Sequence, residues 1–147
     1  MNRIAKLSGA AMAVILLGTA CSSSKSATQN SGSTQPSATP GRVAVTLSEF
    51  AVSPSVRAVP AGSVTFSVTN SGKVEHEFVV LRTSDAPGAL PVKGGEASED
   101  GIVDEIQSVQ PGAAGSLTVD LTPGHYVLIC NLPDHHSAGM YAGLTVA

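Results

Sequence analysis

Near the C-terminus the chain runs Tyr126-Val127-Leu128-Ile129-Cys130-Asn131-Leu132-Pro133-Asp134-His135-His136-Ser137-Ala138-Gly139-Met140. A strand-like segment delivers a thiol at its end, and the loop after it supplies an imidazole and then a thioether before another strand-like segment begins at Tyr141. Upstream, His76 opens His76-Glu77-Phe78-Val79-Val80-Leu81, whose Phe and Val residues suit a buried strand. Two imidazoles, one thiolate and a weak thioether are the ligand set of a mononuclear blue-copper centre, where sulfur donors favour Cu(I) and imidazole also suits Cu(II). A donor set that fully satisfies neither oxidation state limits rearrangement on electron gain or loss. The chemistry to expect is one-electron transfer. Taken singly, Cys130 and Met140 read as core fillers and His76 as an ordinary strand residue. Their coincidence argues otherwise, because Met140 is the only Met after the N-terminal segment and Cys130 the only Cys after Cys21. Cys130 therefore has no disulfide partner within the domain. A zinc site and a metal-free sandwich are the competing readings.

Strands must hold these donors. Val43, Val45 and Leu47 alternate with small or polar residues, and Val64, Phe66 and Val68 do the same before Asn70-Ser71-Gly72. His76 to Leu81, Leu117 to Leu121, Tyr126 to Cys130 and Tyr141 to Val146 add four more strand candidates, with turns marked by Pro60-Ala61-Gly62, Pro111-Gly112 and Pro123-Gly124. No amphipathic stretch of helical length interrupts them. The pattern predicts an all-β Greek-key β-sandwich, two antiparallel sheets packed face to face, over residues 42–147. Thr83 to Gln107 is rich in Gly, Pro and acid and predicts a long excursion with one helical turn. Glu96, Glu99, Asp100, Asp104 and Glu105 lie there and read as a solvated acidic loop rather than a docking site.

With these residues in place, the domain resembles a cupredoxin, the blue-copper family that includes plastocyanin, azurin and rusticyanin. The resemblance spans about Arg42 to Ala147 and includes the Val59-Pro60-Ala61-Gly62 turn, the Asn70-Ser71-Gly72 turn and the lone upstream His76. It implies one copper ion per chain, held by His76 as the first imidazole, Cys130 as thiolate, His135 as second imidazole and Met140 as axial ligand. It also implies a metal at one end of the sandwich, between the sheets, with the second His nearest the surface.

His136 stands where the family commonly carries an aromatic residue. Spacing favours His135 as the ligand and places His136 on the rim, where an exposed imidazole would titrate near pH 6.5 and modulate docking. His125, after Pro123-Gly124, reads as a surface turn residue and not a ligand. Backbone N–H groups aimed at the Cys130 sulfur are expected to raise the reduction potential, and Pro133 removes one such donor from the loop. Glu77 follows His76 where many relatives have a neutral residue, and strand alternation turns it away from His76. Leu132, Pro133, Ala138 and Gly139 are expected to form an apolar collar around His135.

Residues 1–20 read as a secretory signal: Arg3 and Lys6 precede an apolar run from Ala10 to Leu17, too short to span a bilayer, and Gly18, Thr19 and Ala20 follow. Leu17-Gly18-Thr19-Ala20-Cys21 resembles a bacterial lipobox, with Gly18 departing from the Leu usual at its position. It implies a lipid on the Cys21 sulfur. Residues 21–41 are rich in Ser and Thr, cannot bury enough surface to fold, and predict a flexible tether with a reach of about 25 Å.

The full chain carries 8 basic against 11 acidic side chains. Loss of Arg3 and Lys6 with the signal leaves 6 basic against 11 acidic, a net charge of −5. The absence of any basic block argues against a nucleic-acid partner. The sequence thus predicts a monomeric, lipid-anchored, extracytoplasmic carrier of single electrons between redox partner proteins, bound to a bacterial membrane. It does not read as an enzyme. A binuclear copper site would need a second loop Cys, and a multicopper oxidase repeated His-x-His pairs. The alternative is an extracytoplasmic module that sequesters or delivers copper without redox cycling, although the Met-rich or His-rich tracts such carriers favour do not occur here. An adhesive sandwich on a lipid stalk is the third reading.

Overall fold

The computed structural model describes residues 41–147. The signal over 1–20, Cys21 and the tether as far as residue 40 lie outside the described residues. Eleven strands follow: β1 (Arg42–Ser48), β2 (Ala51–Pro54), β3 (Ala58–Val59), β4 (Gly62–Asn70), β5 (His76–Arg82), β6 (Val92–Lys93), β7 (Glu96–Ala97), β8 (Ile102–Val109), β9 (Ala114–Leu121), β10 (Gly124–Ile129) and β11 (Tyr141–Val146). They form a four-stranded sheet in the order β2-β1-β4-β9, a five-stranded sheet in the order β3-β11-β10-β5-β8, and a small β6-β7 pair. The all-β sandwich expected from the alternation is present. Its sheets are mixed rather than purely antiparallel, because β1 runs parallel to β4 and β3 parallel to β11.

Burial follows the side-chain period of two. Val43, Val45 and Leu47 of β1, Val64, Phe66 and Val68 of β4, and Leu117, Val119 and Leu121 of β9 point inward from one sheet. Phe78 and Val80 of β5, Tyr126 and Leu128 of β10, and Ala142, Leu144 and Val146 of β11 meet them from the other, with Phe66 and Phe78 in ring contact at 5.3 Å between centroids.

Strands β5 and β10 do not alternate in sequence, since Phe78-Val79-Val80-Leu81 and Tyr126-Val127-Leu128-Ile129 are apolar throughout. Such runs indicate strands covered on both faces. Here Val79, Leu81, Val127 and Ile129 form a second buried layer with Leu90 and Ala97. The excursion after β5 therefore lies over the outer face of the five-stranded sheet.

That excursion departs from expectation. Among the described residues it holds no helical turn; it makes the β6-β7 hairpin and then enters β8. Strand β8 pairs antiparallel with β5 at the sheet edge, and most of its side chains are exposed or half-buried. With so little of the strand buried, hydrophobic alternation is missing from its sequence. Its identity comes from backbone pairing to β5.

The topology brings one end of the sandwich to a focus. Ile129 pairs with both Val79 and Tyr141, so the start of β5, the end of β10 and the start of β11 lie together. The turn after β4 reaches the same end. Asn70, fully buried, donates through Nδ2 to the carbonyls of Val74 and Val109 and accepts from the Gly72 N–H at Oδ1, which locks the approach to His76.

Candidate metal centre

His76, Cys130 and His135 bring one ligand atom each to within 4.8 Å of one another. Cys130 Sγ lies 3.2 Å from His135 Nδ1 and 3.9 Å from His76 Nδ1, and the two Nδ1 atoms are 3.4 Å apart. His76 and Cys130 are fully buried, and His135 is half-buried, nearer the surface.

The loop that carries three of the four predicted ligands is held by its own backbone. The Cys130 N–H donates to the Met140 carbonyl at 3.1 Å, and the Met140 N–H donates to the His135 carbonyl at 3.1 Å. The His135 N–H donates in turn to Leu132 at 3.0 Å, and Asp134 N–H to Gly95 at 2.8 Å. Asp134 takes a left-handed φ of 67°, a conformation that Asp tolerates better than most side chains. Met140, fully buried, sits at the closing position of this loop.

The sulfur environment follows from the same packing. Burial pushes the Cys130 thiol above its usual range, opposed by the backbone N–H groups of Glu77 and Leu132. The Glu77 N–H reaches Sγ at 3.2 Å, as expected of an amide facing the thiolate, while Pro133 has no N–H to add. Burial, then the neighbouring His135, lowers the pKa of His76, which favours the neutral imidazole a metal requires.

Glu77 turns away from His76, as strand alternation demands. Its carboxyl meets Glu99 and Glu105, and desolvation together with those two carboxylates pushes its pKa up to about 7. Asn131, next to Cys130, is buried and bonds Ala97 through both amide atoms and Glu99 through Nδ2.

His136 corrects the rim placement. It is only 2% exposed; its Nε2 lies 2.9 Å from the Pro87 carbonyl, and its ring packs on Tyr141 at 5.2 Å. The excursion after β5, unreadable as a lid from its composition, covers it. His136 thus offers no exposed imidazole for docking. His125 is exposed, as read from sequence, but it belongs to β10 rather than to a turn and lies at the end of that strand away from Cys130. Of the expected collar, Pro133 and Ala138 are exposed, and Leu132 and Gly139 half-buried.

Two residues at this end went unnoticed in the sequence, both in the turn between β1 and β2. Phe50, 48% exposed, meets the His135 ring edge-on at 5.3 Å. Glu49 lies behind His76, its Oε1 3.6 Å from Nε2. Glu49 also accepts the N–H groups of Lys73 at 2.6 Å and Val74 at 2.9 Å, and these hold its pKa at about 2. No local motif announces either contact, because both cross between distant loops.

A β-sandwich with a His, Cys, His and Met set at one end defines the class of copper-binding domains built on mixed Greek-key sheets. The arrangement of His76, Cys130, His135 and Met140 is typical of a blue-copper site, and the donor chemistry fits one copper ion. The family model described as a cupredoxin-like domain matches residues 10–142, and the chain belongs to that family. No curated protein matches the chain. Among solved structures, it is similar to the dithionite-reduced auracyanin of Roseiflexus castenholzii at 22% identity and a TM-score of 0.56, covering 73% of this chain and 97% of that one. Auracyanin B is similar at 25% identity and a TM-score of 0.55, covering 74% and 91%. The rusticyanin of Thiobacillus ferrooxidans is similar at 18% identity and a TM-score of 0.58, covering 74% and 79%.

Proposed function

We propose that this protein is a mononuclear blue-copper carrier that passes single electrons between redox partners outside the cytoplasm. The observation that supports it most directly is the convergence of His76 Nδ1, Cys130 Sγ and His135 Nδ1 at one end of the sandwich. His76, Cys130, His135 and Met140 would hold the ion. A copper ion bound there supplies reversible one-electron chemistry. The chain supplies the rest. Buried His76 and Cys130 exclude water, the Glu77 amide stabilises the electron-rich sulfur, and the loop closed by the Met140 and His135 backbone bonds resists rearrangement. Half-buried His135, with the exposed Phe50 ring against it, is the route for electrons to a docked partner.

The reading extends to a carrier rather than a catalyst, working as a monomer. A lipid on Cys21 and a tether would keep the domain near membrane redox complexes. Among the described residues no helix is long and apolar enough to cross a membrane.

The test is to load the purified protein with one equivalent of Cu(II) and record visible absorption and electron spin resonance beside Cys130→Ser. An intense thiolate-to-copper band with narrow hyperfine splitting, absent in the variant, is expected. A pale spectrum unchanged by the substitution overturns the reading. Radiolabelled palmitate incorporation that disappears in Cys21→Ser tests the anchor.

A further inference from the structure

Behind the first imidazole lies a carboxylate that the ligand set does not use. His76 is fully buried, with Nδ1 facing Cys130 and His135, and its other ring nitrogen, Nε2, finds no hydrogen-bond partner among the described residues. Glu49 Oε1 lies 3.6 Å from it. Glu49 is not a loosely placed surface acid. The Lys73 and Val74 N–H groups grip Oε1 at 2.6 and 2.9 Å and hold the carboxylate against the turn that leads into β5.

The space it occupies is reserved by a glycine. A Cβ on Gly72 would lie 2.5 Å from Glu49 Oε1 and 2.7 Å from Oε2, so only a residue without a side chain lets the carboxylate approach. Gly72 is itself fixed by the bond from its N–H to Asn70 Oδ1. Two turns far apart in sequence are thus shaped to bring one negative charge to the back of His76.

An imidazole that gives Nδ1 to a metal keeps its proton on Nε2, and the acceptor of that proton sets the tautomer and orientation of the ring. A carboxylate in this role also places a full negative charge behind the ligand, which favours the more highly charged metal ion. We propose that Glu49 is a positioning residue of the metal centre: it accepts the Nε2–H of His76, aims Nδ1 at Cys130 and His135, and biases the site toward Cu(II) over Cu(I). The oxidation-state bias rests on the copper reading above; the ring-positioning role does not.

Glu49→Gln keeps an oxygen that can accept from Lys73, Val74 and His76 and removes the charge. Glu49→Ala removes both. Gly72→Ala keeps the charge and displaces it. In the protein loaded with Zn(II), nitrogen-15 NMR of the ring is expected to show a slowly exchanging His76 Nε2–H, retained in Glu49→Gln with a shifted resonance and lost to solvent exchange in Glu49→Ala and Gly72→Ala. With copper, Glu49→Gln is expected to lower the ratio of Cu(II) to Cu(I) affinity about tenfold, equivalent to a reduction potential about 59 mV higher for a one-electron couple. A merely structural Glu49 would alter thermal stability in Glu49→Ala but leave the affinity ratio and the Nε2 resonance of Glu49→Gln at wild-type values, and that result overturns the proposal. If the wild-type protein gives no thiolate-to-copper band, the copper reading and the oxidation-state bias fall together. The zinc measurement still decides whether Glu49 holds His76.

Discussion

The backbone N–H of Glu77 meets the Cys130 sulfur at 3.2 Å while the side chain of the same residue points the other way, into Glu99 and Glu105. One position on β5 therefore does two opposed things. Its amide stabilises negative charge on sulfur inside the sandwich, and its carboxyl suffers from negative charge outside it. The amide contribution survives any substitution except proline, so the two can be separated.

The carboxyl has a stability consequence in the metal-free protein. Its folded pKa, about 7, lies above the ordinary value of 4.5, because burial and two neighbouring carboxylates disfavour ionisation. Between these pH values the folded state holds a proton the unfolded state has released, so this group's stabilisation is full below 4.5 and is lost as pH rises through 7. His76, with its lowered pKa, slopes the opposite way, since folding disfavours its charged form below pH 6.5. The difference between wild type and Glu77→Gln isolates Glu77. Urea unfolding of both at pH 5 and pH 7.5 should show wild type losing about 1 kcal/mol more than the variant over this interval, after allowance for solvent screening. Parallel behaviour of the two proteins would show that folding does not raise the pKa of the Glu77 carboxyl.

Phe50 supplies an exposed aromatic face beside the His135 ring. Aromatic groups at the centre of a small apolar contact carry much of its energy. Phe50→Ala should leave the thiolate-to-copper absorption in place, because Phe50 donates nothing to a metal, yet slow electron self-exchange about fivefold, corresponding to about 1 kcal/mol of encounter stabilisation. Stopped-flow or NMR line-broadening measurements of self-exchange check this. An unchanged rate removes Phe50 from the docking face.

His136 acts by packing. His136→Ala takes the donor from the Pro87 carbonyl and leaves a void beside Tyr141, and should cost about 2–3 kcal/mol in chemical unfolding. His136→Phe fills the void and forgoes only the hydrogen bond, so about 1 kcal/mol is expected. Equal losses for the two variants would mean that ring volume does not matter here.

Why some of this was legible in the sequence and some was not has a physical basis. Val43, Val45 and Leu47 and their counterparts on β4 alternate because one face is buried and the other wet, and the metal loop from Cys130 to Met140 is a local motif whose spacing survives in one dimension. Glu49 and Phe50 are invisible by the same standard, since neither has a partner nearby in sequence. His136 was misplaced because its burial depends on Pro87, part of a segment whose composition suggests solvent. Strand β8 was missed because an edge strand with exposed acidic side chains owes its conformation to pairing with β5 rather than to a hydrophobic face.

The covering segment offers the sharpest test of that last distinction. Leu90 sits among Gly, Pro and Ala residues, where composition alone marks a loop tolerant of change. In the structure it is buried against Val79, Leu81, Val127 and Ile129, on the face of the five-stranded sheet that lies away from the main core. Those four residues make β5 and β10 apolar on both faces, and without a cover they would form an exposed hydrophobic surface. Leu90→Ala should therefore destabilise the protein by about 2–3 kcal/mol, as a core truncation does, rather than by the few tenths expected of a surface loop. The same variant should increase binding of a hydrophobic dye in the native state while the spectrum of the copper-loaded site stays unchanged, because the covered face points away from the ligand atoms. A loss below 0.5 kcal/mol with no dye binding, about the size of an ordinary surface change, would mean that the segment merely rests on the sheet and does not seal it.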